Sequence, residues 1–169
     1  NVGRSARAIV TISTHGNVTA TDDKVTVVTT DGTSIVATAH ASDTSDSNTN
    51  TPTFDMGDGS NNATATNLAT CLNANAKLTA TAVANAVHIV QAVAGAEGNT
   101  EITLTQPGST GMTLTSDFVG GSNDSLTIEP EGHSDRKTVA VTGSHVLVKS
   151  TDSTKMEFTS LLFEGTTTP

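Results

Sequence analysis

The 169-residue sequence has no Trp, no Tyr and only four Phe. Aromatic side chains dominate most cores and interfaces, so a core here must be assembled from Val, Ile, Leu and Ala. Each fully buried aliphatic side chain contributes roughly 1.5–3 kcal/mol, and ladder hydrogen bonds and neighbouring subunits are expected to supply the rest. The shortage of rings also leaves a sugar little to stack on, and single-stranded nucleic acid no run of interleaved aromatics. A single Cys, Cys71, excludes an intrachain disulfide and a Cys-rich zinc site; set among Leu and Ala, it reads as a small apolar helix residue. Basic residues are scarce as well. Eight Lys and Arg against 17 Asp and Glu give a net charge of −9, which repels phosphate backbones and anionic lipid. Neither nucleic acid nor membrane is an expected partner, and the sequence has no signal-peptide pattern and no apolar run of transmembrane length. It begins at Asn1 rather than Met, which leaves room for residues upstream.

What is abundant is Thr, roughly one residue in five. Its β-branched side chain fits a pleated, half-exposed surface, so the expected fold is mainly β: an antiparallel, sandwich-like module with one short helix packed on the sheet, followed by a C-terminal β extension. Ala6, Ala8, Val10 and Ile12 alternate along a first strand between Ser5 and Ser13. Strands over 24–30 and 33–40 flank Asp31-Gly32, a pair that supplies the backbone angles of a tight hairpin. The small polar run 41–52 predicts an exposed excursion, and Phe54 anchors a short strand. The spacing of Ala65, Leu68, Ala69, Leu72 and Ala76 predicts a helix over 63–76, capped by Asn61 or Asn62. A second hairpin turns at Asn85 between strands containing Leu78, Ala80, Ala82 and Val87–Val90. Strands at 101–105 and 112–115 lead to Phe118-Val119-Gly120-Gly121, where the first module, 1–122, should end. The remainder, 123–169, predicts strands at 125–129, 138–142, 145–149 and 155–159, then the apolar triplet Leu161-Leu162-Phe163 and a polar tail.

The patterns that carry chemistry are missing. There is no Gly-x-Ser-x-Gly elbow, and the five His, at 15, 40, 88, 133 and 145, stand at no metal-ligand spacing. Asp55-x-x-Asp58-Gly59 resembles half of a calcium loop but has Gly57 and Gly59 at ligand positions, and Thr66 where a bidentate Glu belongs; it reads as a turn leading into the helix. The glycines at 95, 98, 120 and 121 read as turns, because no Gly-Lys-Ser/Thr element follows them. Arg136-Lys137 is a solvated pair, and the sequons at Asn17, Asn62 and Asn123 are frequent by chance in so Thr-rich a chain. The expectation is a protein that is not an enzyme and holds no cofactor and no metal.

One ordered series of features stands out: Thr30-Asp31-Gly32-Thr33, Phe54-Asp55, the Ala/Thr/Leu-rich helix ending in Asn-Ala-Asn-Ala, an Ala-Thr-Ala hairpin, Gly95-x-x-Gly98-Asn99 and Phe118-x-Gly120-Gly121. In this order the run 24–121 resembles a module of structural proteins of tailed bacteriophages, notably those of marine and cyanobacterial hosts. The resemblance covers somewhat more than half the chain, and the segment after Asn123 lies outside it. It implies a place in the virion: a decoration or cement protein on the capsid surface, bridging capsomers and stabilising the shell by binding its assembled state. A tail, neck or fibre component is the alternative within the particle, and an adhesive or carbohydrate-binding module the alternative outside it. The expected partners are the major capsid protein or other virion proteins, with copies of the chain in a homo-oligomer or symmetric array. The expected assembly interface is Ala8, Val10 and Ile12 of the first strand together with Leu161, Leu162 and Phe163.

Overall fold

The computed structural model describes residues 3–45, 49–56, 59–123, 125–128, 137–142 and 145–146, with side chains described up to residue 123. Chain contacts separate a unit Asn1–Ser125 from a unit Leu126–Pro169.

The first unit holds two four-stranded sheets. One has the order β5-β6-β1-β8, from β5 (Leu78–Val83), β6 (Ala86–Gln91), β1 (Arg7–Ile12) and β8 (Met112–Val119). The other has the order β4-β3-β2-β7, from β4 (Thr53–Asp55), β3 (Ser34–His40), β2 (Lys24–Val28) and β7 (Ile102–Thr105). Alternation assigns one face of each strand to the shared core: Val10 and Ile12, Val25 and Val27, Ile35 and Ala37, and Val87 and Ile89 are all fully buried. Phe54 and Phe118 fill the larger spaces, and small residues such as Ala8 and Ala39 occupy the others. On one side β7 meets β8, through Ile102 N–H donating to Asp117 Oδ1 at 2.7 Å and Phe118 N–H to the Thr100 carbonyl at 3.1 Å. On the other, helix α1 (Asn61–Asn73) packs against β5 and β4 and closes the sandwich.

Local chemistry explains the element ends. Ser60 caps α1, its Oγ accepting from Ala63 N–H at 3.1 Å, so the cap stands one residue before Asn61 and two before Asn62, the expected caps. Asn61 instead ties the helix to the β1 end, accepting from His15 N–H at 2.8 Å and donating to the Ser13 carbonyl at 3.0 Å. The helix stops at Asn73 rather than 76 because Asn75 is buried and takes Lys77 N–H on its side-chain oxygen at 3.1 Å, a local bond that competes with the helical ladder. Ala76, expected on the apolar helix face, is therefore exposed beyond it. The first hairpin is wider than a two-residue turn. Gly32 N–H donates to the Thr29 carbonyl and Thr29 N–H to the Thr33 carbonyl, both at 2.8 Å, and Gly32 alone supplies the positive φ, +81°. This is the three-residue form of the connection.

Three further findings adjust the expectations. Strand β4 pairs with β3 in parallel, Thr38 opposite Thr53 and His40 opposite Asp55, so the sheets are not wholly antiparallel. The polar run before it is tied down at both described ends: Ser45 N–H reaches the Thr53 carbonyl at 2.8 Å, and Val36 N–H the Asn50 carbonyl at 2.8 Å. Finally, β8 continues to Val119 across two register irregularities opposite β1, which places Phe118 inside a strand.

Beyond residue 123, β9 (Ser125–Ile128), β10 (Lys137–Thr142) and β11 (His145–Val146) form a sheet in the order β11-β10-β9. The strand expected at 155–159 and the triplet Leu161-Leu162-Phe163 lie outside the described residues.

Candidate interaction surface

The alternation that buries Ala8, Val10 and Ile12 turns Arg7, Ile9 and Thr11 outward. The first three side chains are 2 %, 0 % and 0 % exposed. They serve the core and offer a partner no surface, which corrects the expected interface on this strand. The reason is position: β1 lies in the middle of its sheet, between β6 and β8, and its apolar half must face the second sheet. The signal for the outward surface was present in the same alternation, read one residue out of step.

Register extends that outward face across the sheet. On β6, Val90 stands opposite Arg7 and His88 opposite Ile9. On β8, Val119 stands opposite Arg7 and Ser116 opposite Ile9, while Thr11 and Thr115 join their hydroxyls at 2.8 Å. On β5, Thr81 is paired with His88, and Val83 closes the row. The exposed aliphatics Val119 and Val83, 58 % and 59 % accessible, lie at opposite ends of this face. Around its Val119 end a shallow depression of about 220 Å³ is lined by Arg7, Ile9, His88, Val90, Ser116 and Val119. An adjoining one of about 640 Å³ adds Arg4, Ser5 and Gly120.

None of these outward positions carries a carboxylate, in a chain with 17 acidic residues. Arg4 and Arg7 are both exposed, and neither side chain has an ion pair or hydrogen bond among the described residues. The cores of protein interfaces are depleted of charge, enriched in Arg and rimmed by polar groups; the face has that make-up.

The residues of the ordered motifs have structural work. Gly95-x-x-Gly98-Asn99 and Phe118-x-Gly120-Gly121 meet beside the start of β1: Gly121 N–H donates to Asn99 Oδ1 at 2.8 Å, and Asn99 Nδ2 to the Gly121 carbonyl at 3.0 Å. A Cβ at Gly121 would collide with the Gly95 carbonyl oxygen, so the approach requires glycine. In Thr30-Asp31-Gly32-Thr33, Asp31 accepts from Thr29 Oγ1 at 2.6 Å and pairs with Lys77 Nζ at 2.6 Å. Lys77, first among the causes, and the two Thr hold its carboxyl well below the usual carboxylate range. Gln91, fully buried, accepts from Thr30 N–H at 3.1 Å and donates to the Val28 carbonyl at 2.9 Å, which links the two sheets.

The groups with reactive chemistry are dispersed. Cys71 is buried and donates to the Leu68 carbonyl at 3.2 Å, and burial pushes its thiol up to about 12, far from a usable nucleophile. His40 Nδ1 accepts from Ser42 N–H at 3.4 Å, His88 lies on the outer face, and His15 sits in a short 3₁₀ turn. Among the described residues no three His, Cys, Asp or Glu side chains gather as metal ligands. Asp58 of the acidic turn is outside the described residues. No helix of the described residues is long and apolar enough to cross a membrane. No protein-family model, curated protein or solved structure matches the chain.

Proposed function

We propose that the chain is a structural protein of a tailed-bacteriophage particle, a decoration or cement subunit that binds the capsid surface between capsomers. The observation that carries this reading is the outer face of the β5-β6-β1-β8 sheet: broad, rich in Thr and aliphatics, free of carboxylates and backed by a two-sheet core. The resemblance of the motif order to virion modules supports it. A rigid sheet face spreads many modest contacts over a wide area, and repetition by the symmetry of a shell multiplies them. Ligand that binds only the assembled state raises the stability of that state by mass action.

The test is occupancy and protection. Purified chain added to particles stripped of surface proteins should bind in a fixed ratio to the major capsid subunit and raise the temperature at which shells release their contents. Symmetry decides the location. Density over a closed shell lattice supports decoration, whereas density in a ring or fibre about the tail axis moves the chain to the tail. Absence from both, with binding to a glycan array instead, would replace the reading by the adhesive one.

A further inference from the structure

We infer that the chain pairs with a second copy of itself along the open half of strand β5, in a two-fold antiparallel contact centred on Ala82. A strand edge whose backbone groups lack partners is a template for another strand. The two four-stranded sheets have four edges, and the chain covers three of them itself. At β4, Thr53 N–H donates to Ser45 Oγ at 2.9 Å, the Thr53 carbonyl accepts from Ser45 N–H at 2.8 Å, and Asp55 N–H donates to Thr44 Oγ1 at 2.9 Å. The edges of β7 and β8 turn toward each other. Besides the bonds of Ile102 and Phe118, the Gln106 side chain accepts from Met112 N–H at 2.7 Å and donates to the Met112 carbonyl at 3.0 Å.

The fourth edge is β5, and it is covered along only half its length. The Lys77 carbonyl accepts from Ala92 N–H at 2.9 Å, so by alternation Thr79, Thr81 and Val83 aim their backbone groups at β6, and Leu78, Ala80 and Ala82 aim theirs away from it. Leu78 N–H donates to the Asn75 carbonyl at 3.0 Å and Ala80 N–H to Asn73 Oδ1 at 3.3 Å, which closes the first half. The outward N–H and carbonyl of Ala82 have no such partner among the described residues, and Ala82 is partly exposed. Nothing in Leu78–Val83 guards against pairing, because the strand has no Lys, no acid, no Pro and no Gly. A second copy fits this edge by symmetry. Identical strands related by a two-fold axis through Ala82 bond reciprocally, each N–H to the other's carbonyl, and Thr81 comes to stand opposite Val83, a side chain 59 % exposed in the single chain. Charge does not oppose the approach at the seam: neither α1 nor β5 has a charged residue, and Lys77, before the far end of the strand, is paired with Asp31. An axis that relates antiparallel edges runs perpendicular to the sheet, so the outer faces of the two copies point the same way and join into one continuous surface.

The dimer would double the attachment face of the proposed function, but it does not depend on that reading and is tested without particles. So short a seam makes a weak dimer. Sedimentation velocity of the purified full chain, from micromolar to millimolar concentration, should show a reversible monomer–dimer equilibrium, strengthened by salt because each copy carries a net charge of −9. The Ala82 amide should exchange its hydrogen more slowly as concentration rises, while the Ala80 amide, already held by Asn73, should not change. Ala82→Pro removes only the outward N–H, a replacement that an edge strand accepts, and should weaken dimerisation at least tenfold. Val83→Lys should do the same by placing like charges across the seam, and it keeps the test decisive if circular dichroism shows the proline variant unfolded. Val119→Lys, on the β8 side of the same sheet, should leave the dimer intact. A wild-type chain that stays monomeric at millimolar concentration overturns the inference, as does a dimer indifferent to both β5 variants or one that Val119→Lys weakens as much. A monomeric chain that loses particle binding through Ala82→Pro would assign the edge to a shell subunit and likewise overturn it. A monomeric chain that decorates shells regardless of Ala82 would sink this inference and leave the proposed function standing; a dimer that ignores shells would do the reverse.

Discussion

Asp31 and Asp23 stand near opposite ends of β2, and the protein treats them in opposite ways. Asp31 is open to solvent and surrounded by donors, from Lys77, Thr29 and Thr33, so its ionised form is the favoured one. Asp23 is fully buried; its Oδ2 accepts from Thr19 N–H at 3.1 Å, and its Oδ1 has no hydrogen-bond partner among the described residues. Burial raises its pKa above the ordinary value, the Thr19 bond opposes the rise, and the nearby Asp22 adds to it. The surroundings follow the same division. Around Asp31, buried Gln91 is bonded on both sides of its amide and Gly121 is locked to Asn99. Around Asp23, Thr21 holds φ at +68°, an outlier for a β-branched residue. Around Asp31 no buried side-chain oxygen or nitrogen of the described residues lacks a partner; the Asp23 end keeps an unpaired oxygen and a strained residue.

Breaking the satisfied end should cost most. Gly121→Ala forces a methyl group against the Gly95 carbonyl, which is backbone on both sides and has no rotamer to yield; a loss of about 3 kcal/mol is expected, measured as a fall in the urea midpoint with unchanged slope. A wild-type midpoint would mean that the Gly95 loop moves freely and that this end is not the rigid one. Gln91→Leu keeps the volume but strands Thr30 N–H and removes the link between sheets. A cost of about 2 kcal/mol follows from leaving a buried amide unpaired, and faster hydrogen exchange at Thr30 should accompany it.

Much of this architecture is legible in the sequence, for reasons tied to particular residues. The alternation of Val10 and Ile12, the Asp31-Gly32 punctuation and the spacing of Leu68 and Leu72 are local signals, and each specifies its element. The outer face was legible in kind, since Arg7, Ile9 and Thr11 are the other half of the pattern that buries Ala8, Val10 and Ile12. What the pattern lacks is neighbours: that β1 is central, and that Val90 and Val119 flank Arg7, depends on pairing between distant segments. The same holds for the three-residue β4, whose parallel pairing no local period encodes, and for Gly121, whose requirement for glycine arises from an approach to Gly95 across the fold. The choice of Ser60 over Asn61 as cap was ambiguous for a different reason, since both residue types accept the same hydrogen bond.

At the unsatisfied end substitutions should stabilise, and pH should reveal which group is responsible. A carboxyl whose folded pKa lies above its unfolded value binds its proton more tightly in the native state. Its favourable contribution is therefore complete below the unfolded pKa and is lost as pH rises through the folded one. Asp31, with its pKa lowered, behaves inversely, adding stability above the unfolded value and losing it as the solution is acidified. Asp23→Asn removes the buried charge while keeping an oxygen for Thr19, so it should gain on the order of 1 kcal/mol at pH 7. The gain should shrink toward nothing by about pH 3, where the wild-type carboxyl is protonated in both states. A gain independent of pH would assign the effect to packing rather than to charge.

Thr21→Gly should give the smallest gain, about 0.5 kcal/mol. A positive φ costs an L-residue roughly 1–2 kcal/mol, and glycine returns about half of that through the greater freedom of its unfolded chain. The exposed Thr21 side chain forfeits little packing, and the bond from residue 21 N–H to the Ala39 carbonyl belongs to the backbone and persists. Ala84→Gly, in the turn between β5 and β6 with φ +52°, measures the same relief in the other sheet. If Thr21→Gly gains more than Ala84→Gly, and the excess disappears in the Asp23→Asn background, the strain and the unpaired carboxylate are one coupled feature. Equal gains in all backgrounds would make them two independent costs that happen to lie two residues apart.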